Sequence, residues 1–299
     1  MDKFKDEELV EEIIGRLRAR DEACRALKTL TGRLEALNRK LLESEKAKSH
    51  FLSNIRNEIN NPLTSVLTLC EVIVSDEGGL DMKTVKSFAS AMYKDAFNLS
   101  FQLRNIFLAA ELESGEAAPS VATVDINALI RGTMEAFQHR AAEKGLKVTI
   151  DTAGQENIHF QTDAEKLQCV IANLLANAIE YSCENSSVEI IALRDGETLK
   201  ISVADHGAGI EEKDHGAIFD RFRQLDAGAT KRHAGHGLGL SVTRSILELL
   251  EGTIRLASRK GQGAEFEVSL PESEQEKADA FYMDGNEFFF SGCKAPERF

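Results

Sequence analysis

The stretch DAEKLQCVIANLLANAIEYS, Asp163 to Ser182, sets two asparagines four residues apart inside an apolar run. Asp163 is a good N-cap ahead of helix-forming residues. Residues four apart on a helix share a face, so the amides of Asn173 and Asn177 point the same way. Carbonyl oxygens placed so suit a hard Mg²⁺ ion that also holds phosphates. Alone, the spacing is weak. It gains weight from DHGAGI, Asp205 to Ile210, directly after a strand pattern. A carboxylate at a strand end can accept a hydrogen bond from an exocyclic amine such as that of adenine, and Gly207 and Gly209 let the backbone turn tightly around a ring. A third signal is GHGLGL, with Gly235, Gly237 and Gly239 immediately before another helical pattern. Glycines there let phosphate approach a helix N-terminus, where free N–H groups and the helix dipole favour anions.

The sequence around these signals is mixed α/β. Asp125 to Gly145 reads as a helix with an N-cap aspartate and a terminal glycine. LKVTID and NIHFQT alternate as strands, and Val188 to Asp205 reads as two strands around an Asp195-Gly196 turn. Gly239 to Gly252 is a third helix. TIRLASR and AEFEVSLP close the sheet, which Pro271 ends.

Three such signals in this order resemble the ATP-binding domain of sensor histidine kinases, within the wider GHKL group that includes the gyrase, MutL and heat-shock-protein ATPases. Asn173 and Asn177 match the N box, DHGAGI the G1 box, IFDRFRQ (Ile218 to Gln224, with Phe219) the F box and GHGLGL the G2 box. DAGATKRHA, with Lys231 and Arg232, matches the lid over the nucleotide. The resemblance runs from about residue 48 to 271. It implies an α/β sandwich carrying ATP (or ADP) and Mg²⁺, with Asp205 on adenine and Asn173 and Asn177 on the metal. Gly207, Gly209, Phe219, Lys231, Gly235, Gly237 and Gly239 would line the nucleotide site. The ATPases of the group carry a glutamate general base where this chain has Asn173, so the kinase-like branch fits better. One departure is Glu180, where the family has Lys or Arg. A carboxylate there either repels phosphate unless Mg²⁺, Lys231 or Arg232 compensates, or faces solvent without effect.

The second departure lies upstream, in FLSNIRNEINNPL, Phe51 to Leu63. Phe51, Leu52, Ile55, Ile59 and Leu63 form an apolar seam. Asn57, Glu58 and Asn61 form a polar patch, and a mid-helix proline such as Pro62 costs about 3 kcal/mol. The stretch resembles the phosphoacceptor helix of histidine kinases, with Asn57 in place of the histidine. An imidazole has a basic ring nitrogen near neutral pH, whereas a carboxamide nitrogen is delocalised into its carbonyl and is no useful nucleophile. Ordinary autophosphorylation is expected to fail. His50 lies about 10 Å along the helix from Asn57 and has the wrong neighbours. Glu58-Ile59-Asn60-Asn61 retains the segment that, in the family, serves dephosphorylation of a response regulator. There Asn61 would orient water at a labile acyl phosphate, or else simply cap the backbone freed by Pro62.

Further out, Leu27, Leu30, Leu34, Leu37 and Leu41 alternate spacings of three and four, the seam of a coiled coil. The expected order is a coiled-coil helix over 1–48, a helical hairpin over 49–113, a linker over 114–120, the ATP-binding domain over 121–271 and an acidic, then Phe-rich, tail over 272–299. Two hairpins would build a dimeric four-helix bundle. The tail is either disordered or a docking segment, since Phe281, Phe288, Phe289 and Phe290 are costly to leave in water.

In its 299 residues the chain carries 42% hydrophobic residues and a formal net charge of −13, which argues for a globular protein and against nucleic acid as a general partner. Cys24, Cys70, Cys169, Cys183 and Cys293 show no metal or disulfide spacing. Neither a membrane span nor a leader peptide is legible, so a cytoplasmic protein is expected. By resemblance the function is two-component signalling: a homodimer that binds ATP and docks a response regulator receiver domain or a complete histidine kinase. The alternatives are a phosphatase using Glu58 and Asn61, and a kinase acting on an unconventional or external residue.

Overall fold

The computed structural model describes residues 27–39, 59–75, 79–155, 157–221 and 237–273, with residues 16, 20, 25, 41, 42 and 45 besides. Asn57, Glu58, His50, Lys231, Arg232, Gly235 and the tail beyond 273 lie outside them. Two units divide the chain, Met1–Ser53 and Asn54–Phe299. In the first, the described residues are helical, and Leu27, Leu30, Leu34, Leu37 and Leu41 are all 59–66% exposed.

The second unit opens with helix α1 (residues 59–74), which runs unbroken through Pro62. Helix α2 (Met82–Ser114) follows. Asp81 caps it by accepting from the Thr84 N–H at 2.9 Å, and Gly115 ends it at φ +74°. The Cys70 thiol of α1 lies 3.3 Å from Met92 Sδ of α2.

The α/β part has two layers. Its main sheet has the order β2 (Lys147–Asp151), β4 (Ser187–Asp195), β5 (Thr198–Asp205), β7 (Ala264–Pro271), β6 (Thr253–Ser258). Only the β2–β4 pair is parallel. The β4–β5 hairpin turns on Gly196-Glu197, one residue later than the sequence suggested, because Asp195 still pairs with Thr198; Gly196 takes φ +63°. Alternation sets the faces. Val188, Ile190 and Ala192 of β4, Leu199, Ile201 and Val203 of β5 and Phe266, Val268 and Leu270 of β7 are buried. Against them lie α3 (Ile126–Glu143), α4 (Ala164–Tyr181) and α5 (Gly239–Leu249).

A small ribbon completes the unit. NIHFQT does not join the main sheet. Its strand β3 (His159–Thr162) pairs antiparallel with β1 (Ala122–Asp125), a strand that the sequence did not reveal because only four residues alternate.

Helix α2 is seated on the helical layer rather than set apart from it. Phe97 and Phe101 both meet Phe137 of α3 edge to face, at ring-centroid distances of 5.3 and 5.5 Å. Each such pair is worth about 0.5–1.5 kcal/mol beyond the area it buries. The compositional linker is likewise tied down. Ser120 N–H donates to Asp163 Oδ2 at 2.8 Å, and Lys166 Nζ bridges Asp163 Oδ2 and the Ala118 carbonyl, each at 2.8 Å.

Candidate functional site

Helix α4 carries the paired asparagines. Asp163 caps it through the Lys166 N–H at 2.9 Å, and nearly every side chain from Leu167 to Ile179 is buried. Asn173 is 2% exposed, whereas Asn177, one turn on, is half-buried and its side chain makes no hydrogen bond among the described residues. Asn173 Nδ2 donates to Asn105 Oδ1 of α2 at 2.9 Å, while Asn173 Oδ1 is buried without a partner. That oxygen faces the start of α5, where a β-carbon on Gly239 would stand 3.5 Å from it. An unpaired buried carbonyl oxygen costs about 1–3 kcal/mol, so a site that leaves one is suited to something that supplies positive charge. Two amide oxygens one turn apart fit a hard divalent cation.

Helix α5 starts at Gly239 with no capping side chain and no acid in its first turn. Its first N–H groups therefore have no side-chain acceptor, the condition under which a helix N-terminus accepts an anion. Gly237, at φ +67°, lies immediately before it.

Asp205 ends β5, with Oδ1 accepting from the Gly207 N–H at 2.8 Å. Burial pushes its carboxyl above the usual carboxylate range. The N–H groups of Gly207 and Ala264 and the nearby His206 pull the other way. The glycines beside it also meet a steric demand that the sequence does not reveal. A β-carbon on Gly207 would lie 2.1 Å from the Tyr181 carbonyl oxygen, and one on Gly209 2.0 Å from that of Arg259. Their bare faces admit neighbouring backbone, so DHGAGI is clamped between the end of α4 and the β6–β7 turn. Phe219 lies in a short 3₁₀ turn (Ala217–Phe219), and its ring meets Phe266 edge to face at 6.4 Å.

Comparison with known proteins fits this arrangement. Residues 162–274 match the family model described as Histidine kinase-, DNA gyrase B-, and HSP90-like ATPase. The sensor-like histidine kinase SenX3 of Mycobacterium tuberculosis is 29% identical over 227 residues, 76% of this chain and 54% of that protein. The sensor histidine kinase MtrB of Mycobacterium leprae is 27% identical over 258 residues, 85% of this chain and 45% of that one. The chain is similar to sensor histidine kinases over three quarters of its length, and its residues 162–274 match their ATPase-type domain. It spans about half the length of the curated relatives it matches. The crystal structure of full-length ShkA in complex with AMPPNP has a similar fold, with a TM-score of 0.54, 24% identity and coverage of 75% of this chain and 46% of that one.

At the end of α4, Glu180 neither repels freely nor faces open solvent. Arg140 of α3 pairs with it, Nη2 to Oε2 at 3.3 Å, with both side chains 21% exposed. Burial draws the Arg140 guanidinium below its usual range, and Glu180 draws it back up. Lys144 closes the same helix end by donating to the Ile179 carbonyl at 3.0 Å and to that of Glu180. Asn61, on α1, is exposed and its side chain makes no hydrogen bond among the described residues.

The structure thus brings Asn173, Gly239 and the α5 N-terminus together, and holds Asp205, Gly207 and Gly209 in one turn. Asn105 and Arg140 were missed. Asn105 looks like any polar residue of a long helix, and no local pattern ties it to a residue 68 positions away. Among the described residues, no cluster of His, Cys, Asp and Glu could hold a metal, and no helix is long and apolar enough to cross a membrane. The buried thiol of Cys169 is pushed up to about 12, which makes it an inert packing group.

Proposed function

We propose that this protein is a two-component signalling protein that binds ATP (or ADP) with Mg²⁺ and docks a response regulator receiver domain or a complete histidine kinase, without ordinary autophosphorylation. The observation that carries the nucleotide half is the unpartnered Asn173 oxygen beside the uncapped start of α5, with Asn177 one turn along. In this reading Asn173 and Asn177 hold Mg²⁺, which neutralises phosphate charge. Asp205 accepts from the adenine amine. Gly235, Gly237 and Gly239 let phosphate reach the α5 N–H groups, and Lys231 and Phe219 complete the lid side. The loss of ordinary kinase activity rests on Asn57, a carboxamide where the family has its nucleophile.

The same reading makes the protein a cytoplasmic homodimer through the coiled-coil arm over 1–48 and the hairpin over 49–113. Apolar side chains without cover support it: the arm leucines, Leu63 and Leu67 of α1, and Phe107 of α2, which is 63% exposed. Such side chains are costly in water and fit a second copy.

Incubation with radiolabelled ATP and Mg²⁺ tests the reading. ATP is expected to bind, measured by equilibrium titration, with no acid-labile phosphoprotein formed. Labelled wild-type protein would establish the rival, a kinase acting on an unconventional residue. Asn57→His is expected to restore labelling if the rest of the machinery is intact. A phosphatase role has one observation in its favour, the exposed Asn61 side chain, three residues after Glu58. A phosphorylated receiver domain should then lose phosphate faster in the presence of this protein, and Asn61→Ala should remove the acceleration.

A further inference from the structure

Three amide and carbonyl groups link α2 to α4 in a fixed polarity. The Phe101 carbonyl can only accept, and Asn105 Nδ2 donates to it at 3.2 Å. Asn105 Oδ1 must therefore face the other way, where it receives Asn173 Nδ2 at 2.9 Å. Asn173 is left with Oδ1 pointing away from α2, toward Gly239. Turning the Asn173 amide over would set its oxygen against Asn105 Oδ1, two acceptors in contact with no proton between them. The link is shut from water, with Asn105 6% and Asn173 2% exposed, so no solvent can substitute for a lost partner. The aromatic seat of Phe97 and Phe101 on Phe137 holds this part of α2 in place.

We infer that Asn105 is a positioning residue for the nucleotide site: it fixes which end of the Asn173 amide faces the bound divalent cation, and so ties helix α2 to metal-dependent nucleotide binding. The inference rests on the proposed ATP and Mg²⁺ site. Cys169 Sγ, 3.6 Å from Asn173 Nδ2 and 3.8 Å from Asn105 Oδ1, can accept or donate and so does not set the polarity. Without Asn105 the amide can turn its oxygen to that thiol and leave its nitrogen, which bears hydrogen and repels a cation, toward the site. Groups that hold a metal's ligands in place commonly change metal affinity by about 10–100-fold when removed. The coupling is reciprocal, because whatever Asn105 contributes to binding, binding returns to the α2 contact.

The test uses the full chain. ATP affinity is measured with and without Mg²⁺ for the wild type, for Asn105→Leu, which removes the acceptor, and for Asn105→Asp, which keeps an acceptor toward Asn173. Asn105→Leu is expected to weaken ATP binding in Mg²⁺ by about tenfold and to leave metal-free binding unchanged. Asn105→Asp should remain within about twofold of the wild type at a pH low enough to keep the buried carboxyl protonated, since its O–H then donates to the Phe101 carbonyl while its C=O still accepts from Asn173. Hydrogen exchange supplies a second readout: Mg²⁺ with ATP should slow exchange of the α2 amides around Phe97 to Phe107 in the wild type, but not in Asn105→Leu. Equal weakening of both binding modes by Asn105→Leu would mark Asn105 as merely structural and overturn the inference. So would an unaffected Asn105→Leu, or an Asn105→Asp as weak as the leucine variant. Thermal unfolding verifies that each variant folds, and Asn105→Ala replaces the leucine variant if it does not. A wild type that binds no ATP overturns the nucleotide reading itself. A wild type that binds, with variants that bind equally well, overturns only the role of Asn105.

Discussion

Leu34 and Leu174 are both leucines of helices, yet Leu34 is 63% exposed and Leu174 has no exposed surface. The difference lies in what their own chain offers them. Around α4 it supplies a sheet, two flanking helices and α2. Leu34 sits in a unit whose described leucines find no cover. A helix gains most of its stability by burying an apolar face. The α/β unit can therefore be stabilised by one chain, whereas the arm needs a second surface.

The largest effect should come from the seat of α2. Phe137→Ala removes the ring that Phe97 and Phe101 both meet, and is expected to cost about 3–5 kcal/mol in urea unfolding. A loss below about 1 kcal/mol would mean that α2 is not anchored there and would blur the contrast with the arm. Next, Asp163→Ala removes the α4 cap, the Ser120 tether and the Lys166 partner together. About 2 kcal/mol should be lost, with the 114–120 segment becoming protease-sensitive.

A smaller, pH-dependent change is expected from Asp205→Asn. The raised carboxyl means that the folded state holds a proton that the unfolded chain has already lost. Wild-type stability therefore falls as pH rises through the window between the ordinary aspartate value and the higher folded one. Asparagine does not ionise, so Asp205→Asn should unfold at a higher temperature than the wild type at about pH 7. That relative gain should vanish below about pH 4, where Asp205 is neutral in both states. The same variant should bind ATP less well. A variant that is less stable at neutral pH would show that the Gly207 and Ala264 hydrogen bonds outweigh burial.

The smallest effect on the α/β unit should come from the arm. Leu34→Glu is expected to leave its unfolding within about 0.5 kcal/mol while shifting the proposed dimer toward monomer in sedimentation. An unchanged sedimentation coefficient would remove the seam from the dimer contact.

Much of this organisation was legible because it is local. Asp125 and Asp163 announce their helices by capping chemistry, and β4 and β5 announce their faces by alternation. Asn173 and Asn177 stand four apart whatever surrounds them. What escaped was set by partners distant in sequence. The β1 strand has only four residues and exists by pairing with His159–Thr162. Glu180 looked like a misplaced charge until Arg140, forty residues earlier, was found beside it. Gly207 and Gly209 are legible as turn glycines, but the close approach of the Tyr181 and Arg259 backbones to them is not.

The sequence by itself determined the resemblance to histidine kinases, through residue types whose chemistry depends on short spacings: paired amides, a carboxylate followed by glycines, and glycines ahead of a helix. It also determined that Asn57 is no nucleophile, since that is a property of the carboxamide and not of its surroundings. Only the tertiary structure decided which end of the Asn173 amide is free. An isolated amide has no preferred orientation. It acquires one from a hydrogen-bond chain that begins at a carbonyl of α2 and forms only when that helix packs against α4.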